Sequence, residues 1–529
     1  MKKFWVILLS LGLLMAFAMP AAAVDVKFSG SYYAMGWYLD NVSMLDKNET
    51  PGAASWANNN NRSANAFYSQ QFRLTTEFQV VEGLKLVTRF DALEKRWGDQ
   101  TWAGSTGETQ SRTTLGASGA KTQENLEFER AYLDFNVPFG KFQVGYMQFL
   151  MWGTDFLNTP LSAGGIRYYY TQGPWMAVAA IEKRAEYLGP NGGKSGVAAG
   201  RSAADATGGS GILGQGTDAD KDVYDLGGVY KFGAGEAGLL YQYVRDAKYK
   251  TQFTNGYLTQ ISGFYPYAKL TFGNLFLEGE FAYGFGNIRS YENNGSTTNA
   301  KVADAQVASG PTLKPAQDVG INAMALFLHG KYDLKPAYVG LQFVYIGGDD
   351  CSNSDKMTGG IASLLQGNYG FNRSLILWNS DYYDTTGITG GNWTSNSGNA
   401  VNPRTGSPYA PYAFMDNVWF YQAYVGIKPM PKMDIKVSYS IASADKKPKS
   451  DVGAVGSPGY YTPTANVREF ASAQIGSELD LIATYQIYDN LTYMIGAGYL
   501  WTGDYFKGYD SSAVVSNNYL LSHKLTLNF

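Results

Sequence analysis

The sequence predicts an all-β fold: a closed antiparallel β-barrel that spans a membrane, with 18 strands as the first reading and 16 as the alternative. Three observations predict it. Apolar and polar residues alternate along segments long enough to cross a bilayer, which takes a tilted strand about 9–11 residues. The links between these segments alternate between short and long, as in outer-membrane barrels. Charged residues make up only 16% of the 529 residues, against roughly 25% in soluble domains.

The first 23 residues have the features of an export signal. Lys2 and Lys3 precede an apolar run from Phe4 to Met19, and small residues follow up to Ala23. A basic start, an apolar centre and small residues at the end are typical of a secretory signal peptide. An N-terminal anchor is the alternative, but this run is short for a membrane span. We therefore expect a signal peptide at 1–23 and a transmembrane barrel at 24–529.

The strands are predicted by alternation with a period of two. In the first strand Val26, Phe28 and Tyr32 share one face, while Lys27 and Ser29 occupy the other. The second repeats the pattern from residue 71 to residue 80. A period of two indicates a strand, because successive side chains point to opposite faces. The mean hydropathy of −0.23 also argues against a bundle of membrane-spanning helices.

The connections set the strand count. Short turns with Gly, Pro or Asn are predicted at 81–83, 137–140, 172–174, 233–235, 272–274, 334–336, 429–431 and 488–490. Longer polar loops are predicted at 40–65, 97–122, 153–165, 184–220, 250–257, 290–317, 348–413, 444–473 and 503–517. These eight turns and nine loops join eighteen strands and leave both termini on the short-turn side. The strands 166–171 and 175–183 are the weakest, which keeps sixteen open.

The last strand carries a family resemblance. Leu521, Leu525, Leu527 and Phe529 share one face, and the chain stops on the aromatic residue. This ending resembles the C-terminal strand of bacterial outer-membrane barrels, in which the terminal aromatic is an assembly signal. The hairpin of 128–135 and 140–145 is similar in style to those of substrate-selective porins, and the mature chain resembles the porin group in architecture.

The resemblance implies a location and a set of partners. It implies the outer membrane of a Gram-negative bacterium, contact with membrane lipid and lipopolysaccharide, and assembly by the barrel-assembly machinery through the C-terminal strand. Related porins occur as homotrimers and as monomers. A trimer contact needs small apolar residues on the outer wall, where we place Ala323 and Ala325. In the porin group the third loop often narrows the channel, here 153–165, and the loop 348–413 is long enough to fold back into the mouth.

The lumen of such a barrel holds an aqueous channel. We expect four arginines on strands two, three, four and six to form one wall at similar height, and acidic residues on strands eleven and sixteen to face them. The hypothesis is a transverse field at a constriction. Local pairing, such as Arg73 with Glu77 and Arg89 with Asp91, is the alternative. The candidate pore-lining residues are Arg73, Arg89, Arg130, Arg167, Glu77, Asp91, Glu278, Glu280, Glu478 and Asp480.

Composition narrows the function. A net charge of −3 gives no basic footprint for nucleic acid, and one cysteine excludes a disulfide framework, a Cys-rich zinc site and covalent haem. We therefore expect no cofactor and no metal site. We place His329 and His523 on the outward face, which argues against a Ser-His-acid enzyme. The favoured function is passive diffusion of ions and small hydrophilic solutes. A sheath for an electron-transfer partner, and a receptor or adhesin, are the alternatives.

Overall fold

The computed structural model describes most of the strands and a few of the connections. The described residues are 24–40, 65–97, 127–186, 220–247, 257–291, 318–349, 356–361, 370–379, 415–447, 449–451, 467–508 and 511–529. The predicted signal peptide and most of the predicted long loops lie outside these ranges.

Eighteen long strands follow one another along the chain, numbered here in that order. They are β1 (Asp25–Asp40), β2 (Asn65–Val81), β3 (Leu84–Arg96), β4 (Glu127–Val137), β5 (Gly140–Gln148), β6 (Ser162–Gln172), β7 (Trp175–Ala185), β8 (Lys221–Phe232), β9 (Gly235–Asp246), β10 (Tyr257–Phe272), β11 (Leu275–Tyr291), β12 (Val319–Asp333), β13 (Ala337–Ile346), β14 (Val418–Met430), β15 (Met433–Ala444), β16 (Gln474–Tyr488), β17 (Leu491–Thr502) and β18 (Asn518–Asn528).

Each of these strands pairs antiparallel with the next, and the first pairs with the last. The closing register runs from Ser31 opposite Asn528 to Asp40 opposite Tyr519. The Phe529 N–H donates to the Gly30 carbonyl at 3.1 Å, and the Gly30 N–H donates back at 2.8 Å. The closed antiparallel barrel of eighteen strands is therefore confirmed. Strands β6 and β7, the weakest of the prediction, are both full members.

Smaller elements lie outside the eighteen strands. Residues Lys356–Met357 pair parallel with the start of β12, and Lys449–Asp451 pairs antiparallel with Val467–Glu469. A 3-10 helix spans Asp504–Lys507. Within the described ranges, no helix is long and apolar enough to cross a membrane.

The predicted short turns all join adjacent strands. The β2–β3 turn, for example, closes with Val81 opposite Leu84. Its Gly83 has φ of 79°, in the left-handed region where a Cβ would be strained. These turns lie at the same end of the barrel as the start of β1 and the end of β18. This end is called here the short-turn end, and the opposite end is the long-loop end.

The outer face carries large apolar side chains that have no protein neighbour to cover them. Leu341 and Phe28 are 67% and 61% exposed, and Tyr421 and Trp501 are exposed near the long-loop end. The inner face is mixed: buried carboxylates such as Glu182 and Glu478 lie in the same half of the barrel as apolar patches. In β12, Ile321, Ala323, Ala325 and Phe327 all point inward and are buried. The prediction that Ala323 and Ala325 form an outer wall is therefore wrong.

Candidate functional site: the barrel interior

Residues 149–161, called here inner segment A, connect β5 to β6 and fold into the barrel. At its base, the Leu150 N–H donates to Glu182 at 2.6 Å. At its tip, both the N–H and the hydroxyl of Thr154 donate to Glu280 Oε2, each at 2.7 Å. Asn158 closes the segment, accepting from the Trp152 N–H at 2.9 Å and donating to its carbonyl at 2.7 Å. The third long connection thus enters the lumen, as the porin resemblance implied.

Trp152 fixes inner segment A against the wall. Its indole N–H donates to the Tyr265 carbonyl of β10 at 2.9 Å, and its ring meets Tyr267 edge-on with centroids 5.5 Å apart. A Cβ at Gly227 or at Gly238 would lie within 2.9 or 3.0 Å of the indole. These two glycines are therefore required for the close approach of the ring to β8 and β9.

Residues 370–379, called here inner segment B, come from the connection between β13 and β14. Glu478 of β16 accepts three consecutive backbone N–H groups, from Leu375 at 3.0 Å, Ile376 at 2.7 Å and Leu377 at 2.7 Å. Gln422 of β14 donates to the Arg373 carbonyl at 2.6 Å. One fully buried carboxylate therefore anchors the segment, and a neighbouring strand holds its flank.

The two inner segments meet inside the barrel. Arg373 of inner segment B donates to Asp155 of inner segment A at 2.6 Å. Phe156 packs against Phe371 and against Phe327 of β12, with centroids 5.2 and 5.6 Å apart. The apolar inner face of the long-loop half is buried because these segments cover it.

The opposite side of the lumen carries Arg73 of β2, Arg89 of β3 and Arg130 of β4, which together are called here the arginine wall. Arg73 forms a bidentate pair with Asp91 at 2.8 and 2.6 Å. Arg89 pairs with Glu129, which also lies 3.8 Å from Arg73. Arg130 stands directly across from Arg89 in the β3–β4 register. Among the described residues it has no hydrogen-bond or ion-pair partner.

Glu129 was missed by the sequence analysis because a β-bulge breaks the alternation. Arg89 is opposite Arg130, whereas the next residue, Phe90, is opposite Phe128. The extra residue on β4 leaves both Glu129 and Arg130 on the inner side. A strict period of two that places Arg130 inward would place Glu129 outward.

The expected local pairs are only partly present. Glu77 pairs with Lys85 at 2.9 Å, so the predicted pairing of Arg73 with Glu77 is wrong. Arg89 and Asp91 lie at 4.0 Å, the margin of an ion pair. Arg167 lies two strands beyond β4 and pairs with Glu182 at 2.8 Å, at the base of inner segment A. Three of the four arginines therefore form one wall, and the fourth supports a segment.

The acidic residues on the far side point inward but are largely covered. Glu280 is 3% exposed, and Glu478 and Asp480 are fully buried. Glu278 lies 2.9 Å from His329 Nδ1 and accepts from it in the tautomer that is protonated there, and His329 Nε2 lies 2.8 Å from the Tyr424 hydroxyl. The prediction that His329 faces outward is therefore wrong. In the described ranges, no group of three or more His, Cys, Asp or Glu is placed to hold a metal ion.

Comparison with known proteins supplies only a likeness in fold. No family model and no curated protein matches the chain. Among solved structures, it resembles OpdQ of Pseudomonas aeruginosa at 10% identity, covering 96% of this chain and 98% of that one, with a TM-score of 0.45. It also resembles OccK8 (OprE) of the same organism at 13% identity, with coverage of 96% and 98% and a TM-score of 0.44.

A third likeness is to the outer membrane channel DcaP of Acinetobacter baumannii, at 12% identity, 96% and 98% coverage and a TM-score of 0.39. The barrel fold is confirmed. That conclusion depends on the strand pairing of the chain itself, since likenesses at these scores add nothing to it. We therefore argue function from the residues that line the lumen.

Proposed function

We propose that this protein is an outer-membrane porin, a water-filled channel for passive diffusion of ions and small hydrophilic solutes. One observation carries the proposal. On the inner face, Arg73, Glu129, Lys85 and Glu77 keep side-chain exposures of 30%, 25%, 27% and 38%. Charged groups that keep this much contact with solvent inside a closed barrel border a space that holds water, and water is the medium that ions and polar solutes need.

The outer face supports the membrane location. Its apolar side chains have no protein cover, and a barrel satisfies all its backbone groups without water. We propose lipid and lipopolysaccharide as the surroundings of this face, with residues 1–23 directing export. Phe529, whose ring stacks on Phe72 with centroids 6.4 Å apart, is the proposed signal to the assembly machinery.

The channel acts by position and electrostatics, with no bond made or broken. On the arginine wall three guanidinium groups share Asp91 and Glu129, and within the described residues Arg130 has no ion-pair partner. We propose that this wall gives the channel a mild preference for anions. The acidic side of the field comes from Glu278, since Asp155 pairs with Arg373 and the inner segments occupy Glu280 and Glu478. Those segments also disfavour the sheath alternative, because they fill space that an electron-transfer partner would need.

Single-channel recording in a planar bilayer under a salt gradient tests the proposal. The purified protein should conduct steadily, and a variant with Arg89→Ala and Arg130→Ala should shift the reversal potential towards cations. A matched control is Lys507→Ala, which removes one positive charge from the 3-10 helix outside the strands. A folded barrel that never conducts would overturn the porin proposal. An unchanged reversal potential in the double variant would overturn the role of the arginine wall.

A further inference from the structure

Inner segments A and B meet in two contacts: the packing of Phe156 on Phe371, and one ion pair between Asp155 and Arg373, which are 218 positions apart in the chain. Segment A comes from the β5–β6 connection and segment B from the β13–β14 connection. Neither is paired with a barrel strand as a further strand in the sheet. Their positions depend instead on side-chain carboxylates of the wall and on contact with each other.

Each segment has its own anchor, and the two anchors are separate. Glu280 of β11 holds the Thr154 end of segment A. Glu478 of β16 holds segment B through residues 375–377. Asp155 directly follows Thr154, and Arg373 lies two residues before Leu375. The ion pair therefore connects the two anchored ends, so that displacement of one segment pulls on the other.

The ion pair is placed where solvent can weaken it. The Asp155 side chain is 60% exposed, whereas that of Arg373 is 14% exposed. Arg373 is held in place on its own side, because its guanidinium lies 3.5 Å from the centroid of the Phe371 ring and 5.3 Å from that of Phe327. The pair joins a fixed cation to an exposed carboxylate, and exposed ion pairs contribute little to stability. It can therefore break easily, and both anchors stay in place because neither Glu280 nor Glu478 takes part in it.

We infer that the Asp155–Arg373 pair is a latch that holds inner segments A and B together as one gate across the lumen. This inference depends on the proposed channel function. With the latch closed, the two segments cover the β8–β17 side and narrow the path to the side of the arginine wall. When the latch opens, each segment moves on its own anchor, and the cross-section available to ions increases.

Asp155→Asn tests the latch with the least disturbance, because it removes the charge, keeps the shape and leaves both anchors intact. In single-channel records the variant should spend more time in a higher-conductance level. We expect the ratio of unlatched to latched time to rise about two- to fivefold, the change that loss of an exposed ion pair produces. Lys507→Gln, which breaks the exposed pair with Asp504 at 3.2 Å, is the control and should leave the ratio unchanged.

A covalent latch gives the opposite test. In a Cys351→Ser background, Asp155→Cys and Arg373→Cys joined by a short bismaleimide should hold the channel at its lower level. If the wild type conducts but neither the asparagine variant nor the cross-linked protein changes the levels, the latch is wrong and the porin proposal survives. If all variants fold by heat-modifiable migration on a gel and none conducts, both proposals fail.

Discussion

The two sides of the lumen use the same residue types in different ways. On the arginine wall, Asp91 and Glu129 pair sideways with guanidinium groups of the same or neighbouring strands. On the side covered by the inner segments, Glu280 and Glu478 accept hydrogen bonds from the backbone of a folded-in segment. These four carboxylates therefore have two roles: Asp91 and Glu129 pair with the arginines of the wall, and Glu280 and Glu478 anchor the segments that fold into the barrel.

Burial explains why the anchoring carboxylates need so many donors. A carboxylate out of contact with water is stable only when charged or hydrogen-bonding partners replace the lost hydration. Glu478 has three N–H donors from consecutive residues, and Glu280 has two donors from Thr154. The anchors are therefore the sites at which a substitution should perturb the interior most, and the arginine wall should tolerate more.

The largest expected effect is that of Glu478→Ala. Hydrogen bonds to a charged group contribute about 1.5–3 kcal/mol each, so the loss of three should weaken the attachment of inner segment B by about 5 kcal/mol. Hydrogen exchange in the folded barrel should show the amides of Leu375, Ile376 and Leu377 losing protection. Glu77→Ala, on the same inner face but paired only with Lys85, is the control. Unchanged protection at 375–377 would show that the Glu478 carboxylate does not anchor inner segment B.

The strands could be predicted because their signal is local. Alternation, turn residues and the apolar ending each occupy a few neighbouring positions, so all eight short turns and the closure at Phe529 could be inferred. The inner segments could not, because Phe371 and Trp378 lie in a polar loop and their contacts, such as that of Phe371 with Phe156, come from distant parts of the chain. One signal was available: β12 is apolar on both faces from Ala323 to Leu328, which indicates cover on the inside as well.

The site was predictable to the level of which face a residue occupies. The arginines and most of the acids named as candidates lie on the inner face, and their partners are set by the strand register and by the inner segments. Glu129 was not recognised as an inner residue because a β-bulge interrupts the alternation of β4. His329 was misplaced because the run of apolar residues before it hides the alternation. A β-bulge and a loop that covers the inner face both disturb the alternation of polar and apolar residues, so neither can be located from a period of two.

An intermediate effect on the free energy of unfolding is expected for Arg73→Gln, which tests whether ion pairs on the arginine wall also stabilise the barrel. Asp91 is only 2% exposed and would lose a bidentate partner. Breaking a buried pair costs about 3–5 kcal/mol, and the 30% exposure of Arg73 reduces this to about 2 kcal/mol. Urea unfolding of the barrel in lipid vesicles measures the change. A loss as large as that of Glu478→Ala would mean that the wall is as structural as the anchors.

The smallest effect on stability is expected for Arg130→Gln, which compares an arginine that has no ion-pair partner among the described residues with the paired Arg73. Among the described residues Arg130 has no ion-pair partner, so its removal leaves no carboxylate unpaired. The free energy of unfolding should change by less than about 0.5 kcal/mol, as for a substitution that breaks no buried contact. The reversal potential should nevertheless move towards cations, because the uncompensated positive charge of the wall is lost.

Arg73→Gln removes the same charge from β2, two strands away from β4, so the two single variants should shift the reversal potential in the same direction while only Arg73→Gln destabilises the barrel. The two variants should thus differ in stability but not in selectivity. The reason is that Arg73 and Arg130 belong to the same wall, but only Arg73 pairs with the buried carboxylate of Asp91. Equal destabilisation by both variants would show that Arg130 has a structural partner. A stable Arg130→Gln barrel with wild-type selectivity would show that ions do not pass along this wall.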